Sequence, residues 1–189
     1  MLSGVKVLCH SSIRIDKHLI MYFDPYKIES ESHDADIIFC THSHYDHFSE
    51  EDILKIKNDR TILVATEDCY VKAMKLGFSE EKIRIVEPNE KYEVLGIKFE
   101  TVPAYNIEKQ YHPKENGWVG YIIEINDIHY YIAGDTDLTP ESKTVTCDVA
   151  FVPIGRKIYD ERKRGSLFDK YNRASNSNSD TLWRDCWNT

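Results

Sequence analysis

The sequence predicts an α+β chain in which two β-sheets pack face to face with helices outside. Three observations lead there. Short apolar, β-prone runs recur along the chain, as at Thr61-Ile62-Leu63-Val64-Ala65 and Ile97 to Val102. They arrive in blocks, with helical patterns only between some of them. Turn chemistry such as Asp24-Pro25, Asn126-Asp127 and Gly155 punctuates the runs.

The elements follow in order. Residues 1–24 read as strands, with Val5 to Cys9 and His18 to Asp24 as the apolar runs. Ala35 to Cys40 is a short buried-strand pattern, followed directly by a histidine-rich segment. Ser49 has the chemistry of an N-cap, and Glu50, Glu51 and Asp52 suit the first turn of a helix through Ile53 and Ile56. Thr61 to Ala65 is a strand, and Thr66 to Lys75 a helix stopped at Gly77. The rest is mostly β: Ile83 to Val86, Tyr92 to Val94, Ile97 to Val102, Val119 to Ile125, Ile128 to Ala133, and Asp148 to Gly155. Asn126-Asp127 marks a two-residue hairpin turn, since both residue types tolerate the positive φ it needs.

At 189 residues and 41% hydrophobic, the chain has the size of one domain with a real core. Its net charge of −8 repels phosphate backbones and disfavours a nucleic-acid partner, and with it a nuclease reading. No apolar run approaches a membrane span, and the N-terminus has no charged-then-apolar signal pattern, so the expected compartment is the cytoplasm. Five cysteines, an odd number with no pair at C-x-x-C spacing, read as free thiols in a reducing compartment.

The chemistry concentrates in Thr41-His42-Ser43-His44-Tyr45-Asp46-His47. Two histidines separated by one residue chelate one ion when the loop turns them the same way. Asp46 and His47 offer a further pair of ligands. Imidazole and carboxylate together suit zinc foremost, and also manganese, iron or nickel. A histidine-rich surface loop is the plain alternative, but four metal-capable residues within six positions, directly after a buried strand, favour a metal site.

These residues carry a resemblance. With Cys9 to Ile15, Tyr22 to Tyr26, Val102-Pro103-Ala104-Tyr105-Asn106, Gly117 to Tyr121, Ala133-Gly134-Asp135-Thr136-Asp137 and Phe151 to Gly155, the chain resembles the metallo-β-lactamase fold superfamily. Within it the chain is similar to the metal-dependent hydrolases related to ascorbate-6-phosphate lactonase, over roughly residues 3–155. The resemblance implies a four-layer αββα sandwich and one or two divalent ions. It implies His42 and His44 as ligands of the first ion, Asp46 and His47 as ligands of the second, and Asp135 as the bridging carboxylate. A bridging hydroxide would be the nucleophile, with Asp46 also taking a proton. The implied substrate is a small ester, lactone or phosphoester-like molecule.

Two features depart from the pattern. Many relatives carry histidine where Asn106 stands, and asparagine is a poor zinc ligand. His112, on the loop just after, is the candidate substitute. His10 and Asp24 are expected to hydrogen-bond from behind the ligands, with Asn106 beside them. His18, His33 and His129 carry no motif.

The second departure is the tail. The resemblance implies a second glycine after Gly155, then a helix and a strand ending in a ligand histidine. This chain has no histidine after His129. Residues 156–189 instead hold eight basic and five acidic side chains and two of the three tryptophans. Back-translating Gly155 to Asp160 as GGA AGG AAA ATA TAT GAC and deleting one A after GGA gives Gly-Gly-Lys-Tyr-Met, the expected glycine pair. Continued with permitted codons, the shifted frame yields an apolar helical face, a short strand and Pro-Thr-His-Tyr-Gly, with the histidine under Thr181-Leu182. The expected organisation is therefore a hydrolase domain over 1–155, lacking its last helix and strand, and a frameshifted tail over 156–189. That tail weakens the second ion's site and favours association through exposed apolar residues. The rival expectation is a protein that binds metal but is catalytically impaired.

Overall fold

The computed structural model describes residues 3–107 and 110–153. The expected tail lies outside them. The described chain divides into two compact units that meet in sequence at Glu87 and Pro88.

The first unit holds a six-stranded mixed sheet whose spatial order follows the chain. Its strands are β1 (Val5–Val7), β2 (Ile13–Asp16), β3 (Ile20–Phe23), β4 (Ile37–Phe39), β5 (Ile62–Ala65) and β6 (Ile83–Ile85). The first three pair antiparallel, and β3 to β6 run parallel. The β2 strand is absent as a separate run from the sequence reading. Its Ile-Arg-Ile-Asp alternation is only four residues long, with Ile13 and Ile15 buried and Asp16 exposed.

Helix α1 (Glu50–Ile56) follows β4. Ser49 caps it as expected, its hydroxyl accepting the Asp52 N–H, while Ile53 and Ile56 enter the core. The helix expected over Thr66–Lys75 is shorter. A 3-10 turn occupies Glu67–Cys69, and α2 covers only Tyr70–Lys75. The Thr66 hydroxyl donates to the Asp68 carboxylate at 2.6 Å instead of capping a backbone N–H. Gly77, at φ +80°, ends the helix as read. Both helices contribute to a core that includes Ile38, Phe48, Ile53, Ile56, Leu63 and Ala73. Cys40 and Cys69 are buried there too. Burial pushes the Cys69 thiol up to about 12 and the Cys40 thiol well above its usual range, which disfavours the thiolate at both.

The second unit holds a five-stranded sheet in the order β11-β10-β9-β8-β7. Strands β7 (Lys91–Val94), β8 (Ile97–Pro103), β9 (Val119–Ile125) and β10 (Ile128–Ile132) form an antiparallel meander, and β11 (Val149–Phe151) joins β10 in parallel. Asn126 and Asp127, at φ 52° and 60°, make the expected hairpin turn. Gly120 sits where β9 meets β10 closely: a Cβ there would lie 2.8 Å from the Ile132 carbonyl oxygen. Val102, Tyr131, Ala133 and Val145 form an apolar cluster of this unit.

Two mixed sheets with few helices are the architecture of the metallo-β-lactamase fold. No helix among the described residues is long and apolar enough to cross a membrane.

Candidate metal centre

Strand polarity assembles the site of the first unit. Parallel β3 and β4 end side by side, with Phe23 opposite Phe39. Asp24 and the loop from Thr41 therefore emerge at the same sheet end. Because β2 is antiparallel to β3, the loop before it, carrying His10, arrives at that end as well. Carboxyl ends of parallel strands are where open sheets of this kind hold ligands.

Asp24 anchors the loop. Its carboxylate accepts the Thr41 backbone N–H at 2.8 Å, the Thr41 hydroxyl at 2.8 Å and His47 Nδ1 at 2.7 Å. The residue is fully buried, and three donors offset the cost of burying its charge. Its φ of +44° is one that aspartate tolerates better than most residues.

This network fixes tautomers. A carboxylate only accepts, so His47 Nδ1 carries the proton and Nε2 presents a lone pair. The Thr41 hydroxyl spends its proton on Asp24, so it accepts from His42 Nδ1 at 3.0 Å. His42 Nε2 then also presents a lone pair, and it faces His44 Nδ1 at 3.2 Å. Two nitrogens this close can both reach one ion at the zinc–nitrogen distance of about 2.1 Å. One buried carboxylate thus orients two imidazoles, one directly and one through Thr41.

A second group gathers beside it. One ligand atom each from His10, Asp46 and His47 lies within 4.8 Å of the others. His10 Nε2 is 3.8 Å and His47 Nε2 3.9 Å from Asp46 Oδ2. His10 therefore stands level with Asp46 and His47, its ring 5.4 Å from that of His47. Two imidazoles and a carboxylate are a donor set that divalent zinc and its neighbours accept, so these residues fit a metal ion.

Sequence reasoning missed Lys72. This α2 lysine donates to the Ser43 carbonyl at 2.6 Å and bridges 29 positions to hold the middle of the His42–His44 loop. Nothing local in the sequence signals it.

The second unit places the remaining site residues at one end of its sheet. The end of β8, the start of β9 and the end of β10 coincide there, since Pro103 pairs with Val119 and Tyr121 with Ile132. Asn106 serves the loop: its N–H donates to the His112 carbonyl at 2.8 Å, and its side-chain amide to the Tyr111 carbonyl at 2.9 Å. The His112 ring meets Trp118 edge-on at 4.8 Å. His112 Nε2 lies 3.9 Å from Asp135 Oδ2, and Gly134, at φ 63°, makes the turn that presents Asp135. Nearby, the Lys114 ammonium and then the Tyr105 hydroxyl hold the Glu141 carboxyl down to about 2. His33 and His129 bond outside these groups, to the Lys57 carbonyl and Asp148.

Comparison with known proteins agrees with the fold. A UPF0173 metal-dependent hydrolase of Saccharolobus solfataricus is 32% identical over 139 residues, 71% of this chain and 59% of that protein. The chain spans 59% and 63% of the lengths of the first two curated relatives it matches. A crystal structure of a candidate metal-dependent hydrolase from Parabacteroides distasonis is similar at 28% identity and a TM-score of 0.67, covering 80% of this chain and 70% of that one. Zn(2+)-bound PqqB from Methylobacterium extorquens shares the fold at 15% identity and a TM-score of 0.57, over 78% of this chain and 61% of that one. A profile of the family described as Beta-lactamase superfamily domain matches residues 10–176, most of the sequence, and the chain belongs to that family.

Proposed function

We propose that the protein is a cytoplasmic metal-dependent hydrolase of a small ester, lactone or phosphoester-like substrate. The carrying observation is the Asp24 network, which turns the lone pairs of His42 and His47 outward beside His44, Asp46 and His10. His42 and His44 are assigned to one ion, and Asp46 and His47 to a second. Asp135, as bridging carboxylate, and His112, as substitute ligand, rest on their motifs and on their 3.9 Å proximity to each other. The name of the Saccharolobus relative and the zinc in PqqB support the metal, with zinc first and manganese, iron or nickel as alternatives.

When bound, such ions activate water and polarise a carbonyl or phosphoryl oxygen. The chain's own part is to hold unprotonated nitrogens in place. We assign Asp46, partly buried beside His10 and His47, the role of taking a proton from the nucleophile. Elemental analysis and assays with generic ester, lactone and phosphodiester substrates test the reading. Two ions per chain with turnover support it, and a metal-free chain without turnover sinks it.

The competing reading, a metal-binding but impaired protein, rests on the departure of residues 156–189 from the pattern the resemblance implies. One ion per chain without turnover would favour it. A one-base insertion behind residues 156–189 belongs to the same reading. Sequencing the gene decides it, because the nucleotides under Thr181-Leu182 must spell a histidine codon out of frame.

A further inference from the structure

Between α1, α2 and the histidine loop lies a cavity of about 560 Å³, within the range of small-molecule sites. Its wall includes Tyr26, Tyr45, Phe48 and Lys72. Tyr45 sits in the chain between His44 and Asp46, yet is 73% exposed. Its ring meets that of Tyr26 edge-to-face at 6.0 Å, and Tyr26 in turn meets the His10 ring at 6.1 Å. Two aromatic rings thus run from the metal-ligand group into the cavity.

Charge does not select the occupant. Lys27, Lys55 and Lys72 balance Glu50, Glu51 and Asp52 on the wall. Each lysine already faces a partner: Lys27 the Tyr26 ring at 5.6 Å, Lys55 both Glu51 and Asp52, and Lys72 the Ser43 carbonyl. Ring surface is what remains on offer.

The geometry points to Tyr26 and Tyr45 as specificity-determining residues that receive a neutral aromatic group of the substrate beside the reacting bond. The inference rests on the hydrolase reading above and names the class of group that reading's substrate carries. An aryl ring edge-on or offset against such a pair gains attraction beyond simple burial. Tyr45 also lies in the chain between His44 and Asp46, so a ring seated there is held next to the proposed ligands.

The test uses the full chain, metal-stripped and metal-loaded. N-benzylacetamide, an unreactive amide, is titrated into the metal-stripped protein and followed by tyrosine ring shifts in NMR. We expect saturable binding that weakens about fivefold or more in Tyr45→Ala and in Tyr26→Ala and is retained in Tyr45→Phe. In the loaded protein, the ratio of kcat/KM for benzyl acetate over methyl acetate should fall by a similar factor in the two alanine variants. No binding to the wild type, or binding and ratio indifferent to both alanine substitutions, overturns the inference. Turnover with an indifferent ratio leaves the hydrolase reading standing and removes this one. Tyrosine-dependent binding with no turnover of either ester keeps the aromatic site and removes simple esters from the hydrolase reading. Circular dichroism of each variant reports folding separately.

Discussion

His47 Nδ1 lies 2.7 Å from Asp24 Oδ2, with neither side chain exposed to solvent. The pair ties the orientation of an imidazole proposed as a ligand to a residue 23 positions earlier in the chain. Asp24→Asn keeps the size and one acceptor oxygen but points an amide N–H at His47. The favoured tautomer then reverses, and Nε2 carries the proton where a metal needs a lone pair. Zinc affinity, measured by chelator competition, should fall about 10- to 100-fold. An affinity within twofold of the wild type would show that Asp24 does not set the tautomer.

Lys72 makes a different kind of support. Its ammonium reaches the Ser43 carbonyl at 2.6 Å and stands 5.8 Å over the Phe48 ring. Lys72→Met keeps the stem and removes the donor. A half-buried bond from a charged group contributes about 1–2 kcal/mol, and denaturant midpoints should report a loss of that order. Zinc should also bind less tightly, because the residue between His42 and His44 is no longer held. Unchanged affinity with lowered stability would confine Lys72 to folding.

Asp52 gives the fold an acid sensitivity. Burial pushes its carboxyl upward, but the Ser49 hydroxyl, the Ile28 N–H, the Lys55 ammonium and the Lys27 N–H together pull it below the usual carboxylate value. A carboxyl lowered in the folded state stabilises above its unfolded value, near 4, and that contribution fades as pH falls through the folded value. Asp52→Ala should therefore cost roughly 2 kcal/mol at pH 7. The gap from the wild type should narrow steadily below about pH 4. Urea unfolding at pH 7 and pH 3 measures it, and an equal gap at both would refute the linkage.

Local chemistry was legible in the sequence, and distant contacts were not. The string of candidate ligands is contiguous, so its spacing alone exposes it. Ser49 caps α1 and Asn126-Asp127 turn the hairpin, because caps and turns are set by neighbouring residues. By contrast, Asp52 grips Lys27 and Ile28 across 24 or 25 positions, and Lys72 reaches back 29 positions to Ser43. No periodicity records such pairings, which exist only once β3, β4 and β5 lie side by side. Asp24 falls between these cases. Its place before Pro25 at a strand end marked it as a supporting residue, and only the sheet register shows that it orients two histidines. His10 was read as hydrogen-bonding from behind the assigned ligands; its Nε2 lies 3.8 Å from Asp46 Oδ2, in one group with Asp46 and His47.

The second unit supplies the last prediction, on a position where this chain departs from the pattern its resemblance implies. Asn106 spends its backbone N–H on the His112 carbonyl and its side-chain amide on the Tyr111 carbonyl. Those bonds hold His112 at φ 60° with its Nε2 3.9 Å from Asp135 Oδ2. A histidine on a loop tied in this way, beside a carboxylate proposed as a metal bridge, suits a substitute ligand. His112→Ala should lower zinc affinity about tenfold or more, by loss of one imidazole and its orienting contacts. Asn106→Ala should lower it less, since it loosens the loop and leaves the ligand. Placing histidine back at position 106 in the His112→Ala background should recover part of the loss. Chelator competition on the three variants decides the matter, and His112→Ala binding zinc like the wild type would end the case for His112 as a ligand.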